Sequence, residues 1–153
     1  PLEKVPALVD GEATVAESGA ICAYLADRFP EAELAPRIHE AARGRYLQWM
    51  FFSGNCVEPS YMEKFMNLTV DGSSAGWGGY DKVIDVLEEA VTPSPWILGD
   101  AFSAADVMIG TDLFFGVRAF KLVAPRPAFD AYLDRCMARP AFVRAQELES
   151  DWT

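Results

Sequence analysis

The stretch Phe102-Ser103-Ala104-Ala105-Asp106-Val107 is the sharpest local pattern in the sequence. A serine followed three residues later by an acidic residue is typical of a capping box, in which the serine caps the helix and the acid returns a hydrogen bond to the serine amide. Phe102 and Val107 have the spacing of a hydrophobic staple around the same turn. A helix is therefore predicted to begin after Ser103, and we interpret Ser103 and Asp106 as structural residues.

The helix that follows is apolar over most of its circumference, which is typical of a helix at the centre of a bundle rather than on its surface. Its apolar residues are Ala105, Met108, Ile109, Leu113, Gly116, Val117 and Phe120. Apolar residues at helical spacing predict further helices over residues 17–29, from about 37 to 56, over 80–91, and from Pro127 and Pro140 onward. A kink or a restart of the helix is expected at Glu58-Pro59, and a glycine-rich turn region over residues 67–79.

A pattern typical of β-structure is confined to the first sixteen residues. Ala7-Leu8-Val9 is apolar and extended, Asp10-Gly11 is a strong turn dipeptide, and residues 13–16 suit a returning strand. A lone hairpin is barely stable in water, so this hairpin must belong to a larger unit.

Composition and charge exclude several classes of protein. The chain has 153 residues, of which 51% are hydrophobic, and this is enough to bury a core. The 13 Lys and Arg against 23 Asp and Glu give a net charge of −10, which disfavours nucleic acid and anionic membranes as partners. The apolar runs are too short to cross a bilayer. Because the N-terminus has no secretory pattern and no initiating Met, we expect a cytoplasmic protein whose sequence begins inside a longer chain.

The cysteine and histidine content argues against a metal site. Cys22, Cys56 and Cys136 are odd in number and far apart, so they predict neither a disulfide framework nor a zinc motif and are interpreted as small buried hydrophobic residues. His39 is the only histidine, and a catalytic triad would have to recruit it. No metal is therefore expected.

Residues Gly72-Ser73-Ser74-Ala75-Gly76 match the GxSxG pattern of a hydrolase nucleophile elbow. That motif needs a buried strand before the serine and a helix directly after it, whereas more glycine follows here. The local context therefore disfavours a hydrolase.

Two features near the hairpin have two interpretations each. Glu17-Ser18 begins a helix, and it is either an ordinary helix cap or a site where amides and the Ser18 hydroxyl hold a ligand carboxylate. Pro6 is either a strand-edge proline or a cis proline that turns the Val5 backbone toward a ligand.

Three motifs together resemble the cytosolic glutathione S-transferase family. Lys4-Val5-Pro6-Ala7-Leu8-Val9-Asp10 and the segment over 15–27 are similar to the V-P-A-L strand and the E-S-x-A-I-x-x-Y-L helix of that family's glutathione-binding domain. Trp96-Ile97-Leu98-Gly99-Asp100, running into the capping box, and Arg139-Pro140-Ala141-Phe142 resemble its helical domain. The resemblance implies a mainly α fold, with the β-β-α remnant of a thioredoxin-like domain over residues 1–33 and an all-helical C-terminal domain over residues 35–153.

The resemblance also implies the positions of the binding sites. The backbone of Val5, before a cis Pro6, is expected to pair with the cysteinyl part of glutathione, and Glu17 and Ser18 to hold its γ-glutamyl end. The helix from Arg37 is expected to face the electrophile, although core packing remains an alternative for its aromatic residues and Met50. The candidate electrophile-site residues are Tyr46, Trp49, Met50, Ser53 and Asn55.

The implied activity is the conjugation of glutathione, as co-substrate, to small apolar electrophiles in detoxification by a homodimer. Members of the family activate the sulfur of glutathione with a Tyr, Ser or Cys from an initial strand-helix-strand-helix unit. The sequence starts after the equivalent point, so the catalytic group is expected N-terminal to Pro1 and the 153-residue chain to be weak or inactive. Two alternatives stay open: a non-catalytic glutathione-binding or protein-interaction module, and a glutathione-dependent isomerase or dehalogenase.

Overall fold

The computed structural model of the chain describes residues 5–150, and side chains up to residue 148. Lys4, which begins the strand motif quoted for the family resemblance, lies outside the described residues. The elements in chain order are β1 (Ala7–Asp10), β2 (Ala13–Ala16), α1 (Ser18–Arg28), α2 (Ala42–Phe52), α3 (Glu58–Phe65), α4 (Tyr80–Val91), α5 (Ala104–Leu113), α6 (Pro127–Met137) and α7 (Pro140–Ser150). The predicted fold class, a β-β-α unit followed by helices, is confirmed.

The hairpin forms as the alternating pattern predicts. β1 and β2 pair antiparallel, with Leu8 opposite Val15, and Gly11 takes a positive φ of 60° in the turn, a conformation that glycine adopts without strain. The Tyr24 hydroxyl of α1 donates a hydrogen bond of 2.9 Å to the carboxylate of Asp10. This bond fixes the hairpin to the helix that follows it.

The long helix predicted from Arg37 to Cys56 differs from the structure at both ends. α2 begins only at Ala42, because the preceding residues form turns in which the Arg37 amide donates to the Glu40 carboxylate at 3.2 Å. At its other end α2 passes into a π-helical turn, Ser53–Val57, which leads directly into α3. Pro59 lies in the first turn of α3, directly after the π-helical turn, so the chain restarts as a new helix at this point.

The helix predicted to lie at the centre of the bundle is α5. It packs against α1, α2 and α6, and Ala105, Ile109 and Leu113 are fully buried. Beyond Leu113 the chain continues as a π-helical segment, Phe114–Ala119. Phe120, which the sequence pattern counts with the apolar helix, follows that segment and is 65% exposed.

The capping box is confirmed at the start of α5. The Asp106 carboxylate accepts a hydrogen bond of 2.9 Å from the Ser103 amide, and both side chains are buried. The same carboxylate also accepts bonds from the Ile97 amide at 2.7 Å and from the Tyr132 hydroxyl at 2.8 Å. Asp106 therefore joins α5 to α6 and to the preceding loop.

Contacts across the predicted domain boundary are extensive. Arg43 on α2 donates two hydrogen bonds of 2.7 Å to the carboxylate of Asp27 on α1. The Leu34 carbonyl accepts a bond of 2.8 Å from the Ala104 amide, and Ala26 is buried in the main core. The division into residues 1–33 and 35–153 stays a prediction, since α1 shares a core with the helices after it. Over residues 5–150, no helix combines the length and hydropathy needed to cross a membrane.

Candidate functional site

A cleft of about 420 Å³ opens where the N-terminus of α1 meets α2, α3 and α5. One side of it is formed by the start of α1, and the other by apolar side chains of α2 and α5 together with the π-helical turn after α2. The lining residues are Glu17, Ser18, Gly19, Ala20, Ala23, Leu47, Met50, Phe51, Ser53, Gly54, Asn55, Glu58 and Met108. The cleft thus has a polar end and an apolar wall.

The polar end is the first turn of α1. Glu17, the residue before the helix, has a positive φ of 73°, which is unusual for a residue with a side chain and is often found at ligand sites. No side chain caps this helix, so its first amides remain available to an anion, and the exposed Ser18 hydroxyl stands beside them. A Cβ at Gly19 would lie 3.4 Å from the Met50 carbonyl oxygen, which shows how closely this turn approaches α2.

The four residues predicted to bind glutathione are divided between two places. Glu17 and Ser18 line the cleft. The Val5–Pro6 peptide is cis, so of the two interpretations of Pro6 the cis form is the one observed. Both residues are exposed ahead of β1, Val5 by 93%, and neither lines the cleft.

The five residues predicted for the electrophile site are also found in two different places. Met50, Ser53 and Asn55 line the cleft. Tyr46 and Trp49 do not, because they point into the core, where they are 0% and 4% exposed. These two aromatic residues therefore pack in the core, as the alternative interpretation of the sequence had it.

The electrostatic character of the cleft is acidic. Glu17 and Glu58 are the charged side chains among its lining residues, and no Lys or Arg within residues 5–148 lines it. Burial raises the pKa of the Cys22 and Cys56 thiols, and it raises the pKa of Tyr46 to about 12. These groups therefore stay protonated near neutral pH, and none is an activated nucleophile.

Asp112 was missed by the sequence analysis. It lies on α5 beside Ser53, and one of its carboxylate oxygens is buried without a hydrogen-bond partner. Burial raises its pKa to about 7; the Ser53 hydroxyl opposes this shift, and the charge of Glu58 adds to it. The available signal was an acidic residue within a run that is otherwise apolar, Met108 to Phe115, apart from Thr111.

Other candidate sites find no support in the described part of the chain. No group of three or more His, Cys, Asp or Glu residues within it is arranged to hold a metal ion. The GxSxG segment over 72–76 lies in a turn where Ser74 is exposed and hydrogen-bonded to Asp71, and the next helix begins only at Tyr80. The strand-serine-helix arrangement of a hydrolase elbow is not formed there.

Models of two domains of one protein family match this chain. Residues 1–27 match the model of the glutathione S-transferase N-terminal domain, and residues 69–135 match that of the C-terminal domain. The curated Arabidopsis thaliana protein glutathione S-transferase F10 is 28% identical, over 93% of this chain and 73% of its own.

Solved structures show the same relationship. A glutathione transferase from Methylococcus capsulatus is 29% identical with a TM-score of 0.77, over 96% of this chain and 74% of its own. A sphingomonad glutathione S-transferase complexed with glutathione is 28% identical with a TM-score of 0.76, over the same shares. Since two domain models of one family match more than half of the sequence in the expected order, and the fold agrees, this chain belongs to the glutathione S-transferase family.

Proposed function

We propose that the cleft binds glutathione and that the protein transfers its thiolate to small apolar electrophiles. The observation that carries this proposal is the pairing of an uncapped helix start with an apolar wall in one cleft. The helix start suits an anionic peptide end, and the wall, formed by Leu47, Met50, Phe51 and Met108, suits an apolar second substrate.

The geometry supports a specific orientation for glutathione. The Ser18 hydroxyl and the free amides of α1 would bind the γ-glutamyl carboxylate, and the Glu17 carboxylate would bind the neighbouring ammonium group. The backbone of Val5, before the cis Pro6, would pair with the cysteinyl part. The sulfur would then point toward the apolar wall, where the electrophile is held.

In the reaction, the thiol first transfers its proton to solvent water. The sulfur then attacks the electrophilic carbon, a C–S bond forms as the bond to the leaving group breaks, and the leaving group departs with that electron pair. A thiolate at neutral pH needs a hydrogen-bond donor or a positive charge nearby. No Lys or Arg of the described residues lines the cleft, and its side-chain hydrogen-bond donors are Ser18, Ser53 and Asn55; we propose that none of these three activates the sulfur.

Calorimetric titration of glutathione into the 153-residue chain tests the binding half of the proposal. We expect weak binding that falls about fivefold in Ser18→Ala, since a contact at a helix N-terminus contributes about 0.3–2 kcal/mol. Ser74→Ala, which removes an exposed hydroxyl outside the cleft, is the matched control and should change nothing. Unchanged affinity in Ser18→Ala would show that this residue is only part of an ordinary helix start.

A conjugation assay on the same preparation tests the position of the activating group. No measurable turnover of a generic aromatic electrophile is expected from the 153-residue chain. A rate of about 1 per second or faster, which is typical of enzymes, would show that a group of this chain activates the sulfur and would contradict the proposal.

A non-catalytic glutathione-binding module is the second candidate. It is favoured by the absence of any Lys or Arg among the cleft residues that the structure describes. If the gene encodes residues before Pro1, glutathione binding without conjugation in that longer chain would favour this candidate over the transferase.

We further propose that the protein forms a homodimer through the outer face of α3. Met62 and Phe65 on α3, and Met66 directly after it, lie within one turn of each other and are 51%, 72% and 56% exposed, which leaves an apolar patch for a second subunit. Light scattering should show a mass that rises with concentration, and a monomeric mass up to high concentration would contradict the dimer.

A further inference from the structure

The β-hairpin is attached to the rest of the molecule at few points. No residue over 5–16 is buried, and none of them belongs to the main core that the helices form. β2 ends at Ala16 and α1 begins at Ser18, so the single residue Glu17 joins the hairpin to the helix. A two-stranded hairpin is only marginally stable by itself. Its orientation relative to α1 therefore depends on contacts other than core packing.

The hydrogen bonds that orient the hairpin all end on Asp10, at its turn. The Tyr24 hydroxyl donates a bond of 2.9 Å to Oδ2 of Asp10, and the exposed Arg28 donates a longer bond of 3.4 Å from Nε to the same oxygen. Within residues 5–148, no other hydrogen bond joins residues 7–16 to the rest of the chain. The bond to Asp10 is the first cause of the raised pKa of Tyr24, so the hydroxyl keeps its proton and remains a donor at neutral pH.

The opposite end of the hairpin holds the residues proposed to bind glutathione. Ala7 pairs with Ala16, so Val5, ahead of β1, and Ser18, at the start of α1, both lie at the end away from the turn. Along either element, the bond at the turn is about 10 Å from this end, since a strand rises about 3.4 Å and a helix about 1.5 Å per residue. The hairpin and α1 are thus joined at both ends, by Glu17 at one and by the hydrogen bond at the other.

A change of angle at Glu17 alters the spacing between the two binding places. Val5 lies two residues beyond the paired Ala7, which is about 7 Å of extended chain. A rotation of about 10° over that length moves the Val5 backbone by about 1 Å, whereas N–H···O distances in good hydrogen bonds vary only over about 2.7–3.2 Å. A ligand that bonds to both Val5 and Ser18 therefore needs the angle to be held.

We propose that Tyr24 and Asp10 are positioning residues for glutathione, because their hydrogen bond sets the spacing between the Val5 backbone and the Ser18 end of α1. This inference rests on the proposed function, in which the tripeptide spans these two places. Neither Tyr24 nor Asp10 lines the cleft, so both act through the orientation of the hairpin. A ligand that reaches only the start of α1 should not depend on their bond.

The test compares glutathione with free glutamate, which carries the α-carboxylate and ammonium groups of the γ-glutamyl end but cannot reach Val5. Each is titrated into the unmodified chain and into Tyr24→Phe, and the backbone amide NMR shifts of Ser18 and Gly19 are followed. Tyr24→Phe should weaken glutathione binding about fivefold, as the loss of one hydrogen bond implies, and glutamate binding by less than about twofold. A purely structural role of Tyr24 would weaken both ligands alike.

A second tyrosine supplies the matched control. The Tyr80 hydroxyl donates a bond of 2.7 Å to the Leu122 carbonyl, and neither residue lines the cleft. Tyr80→Phe removes a hydroxyl bond of the same kind and should leave both affinities unchanged.

Residual dipolar couplings of the free chain measure the orientation without any ligand. In Tyr24→Phe, the amide couplings over residues 7–16 should no longer fit the orientation that they have relative to α1 in the unmodified chain, while those of α5 and α6 stay the same. Asp10→Asn keeps an oxygen that accepts from the Tyr24 hydroxyl and keeps a favourable Asn-Gly turn, so it should retain both the couplings and the glutathione affinity. Asp10→Ala should lose both.

The inference is overturned if Tyr24→Phe keeps the glutathione affinity, or if glutathione and glutamate weaken by the same factor. If glutathione still binds the unmodified chain more tightly than glutamate does, the proposed function stands although the inference has failed. If the two bind the unmodified chain equally, or neither binds, the proposed placement of glutathione is wrong and the inference falls with it. Should Tyr24→Phe not fold, Asp10→Ala breaks the same bond from the other side and decides in the same way.

Discussion

Replacing Asp106 with Asn should destabilise the protein about three times as much as replacing Ser103 with Ala. Each of the two residues supplies one hydrogen bond of a capping box, so the box alone predicts that the two substitutions lower the free energy of unfolding by similar amounts. In the structure, however, Asp106 is 1% exposed and its carboxylate accepts four hydrogen bonds. Oδ2 accepts hydrogen bonds from the amide and hydroxyl of Ser103, and Oδ1 accepts them from the Ile97 amide and the Tyr132 hydroxyl.

The magnitude follows from the donors that lose an acceptor. Ser103→Ala removes one capping hydroxyl and should lower the free energy of unfolding by about 1 kcal/mol. In Asp106→Asn an NH2 group replaces one carboxylate oxygen. Each oxygen accepts one backbone amide and one hydroxyl, so whichever oxygen is replaced, one amide and one hydroxyl lose their acceptor and meet the NH2 group instead. The hydroxyl can rotate, but the amide cannot. An unpaired buried donor costs about 1–3 kcal/mol, so the total should be about 3 kcal/mol.

Urea unfolding followed by circular dichroism measures both losses. Tyr132→Phe removes a single donor to the same carboxylate and should lower the free energy of unfolding by about 1 kcal/mol. Glu89→Gln, an exposed acid-to-amide change of the same kind, is the control and should have almost no effect. If Asp106→Asn were no more harmful than Ser103→Ala, the bonds from Ile97 and Tyr132 would contribute nothing to stability, and the reasoning would be refuted.

Two other substitutions test the buried surroundings of Asp112 and Gly116. The raised pKa of Asp112 means that the folded state holds this proton more tightly than the unfolded state, so stability falls as pH rises from about 4 to 8. Asp112→Asn removes that penalty, so it should raise the free energy of unfolding by up to about 4 kcal/mol at pH 8 and by little at pH 4. Equal effects at the two pH values would contradict this prediction. Gly116→Ala should lower the melting temperature, because the new methyl group would clash with Tyr61 and disturb the hydrogen bond from Tyr61 to the Asp112 carbonyl. The control is Gly44→Ala, which lies in open space on α2 and should raise the melting temperature slightly.

The sequence by itself determined the features whose causes lie within a few neighbouring residues. The Asp10-Gly11 turn and the capping box at Ser103 were both predicted, because each depends on hydrogen bonds and backbone angles that a single turn contains. The position of Glu17 and Ser18 at a helix start followed from the change in hydrophobic period. The start of α2 was the exception, because the Arg37–Glu40 turn competes with the helix in a way that periodicity does not reveal.

Only the tertiary structure decided which side of each helix faces the cleft. Tyr46, Trp49, Met50 and Ser53 follow one another along α2 and the turn after it, yet the two aromatic residues pack in the core while Met50 and Ser53 line the cleft. Apolar residues suit both places equally, so composition and spacing do not distinguish them.

The same limit applies to the two buried carboxylates of α5. Asp106 obtains four donors, two of them from residues distant in sequence, whereas Asp112 keeps an unpartnered oxygen beside Ser53 and a raised pKa. Both are single acidic residues in an apolar helix. Whether such a residue becomes fully hydrogen-bonded or keeps a raised pKa depends on the donors that other elements bring to it, and this is fixed only when the helices pack together.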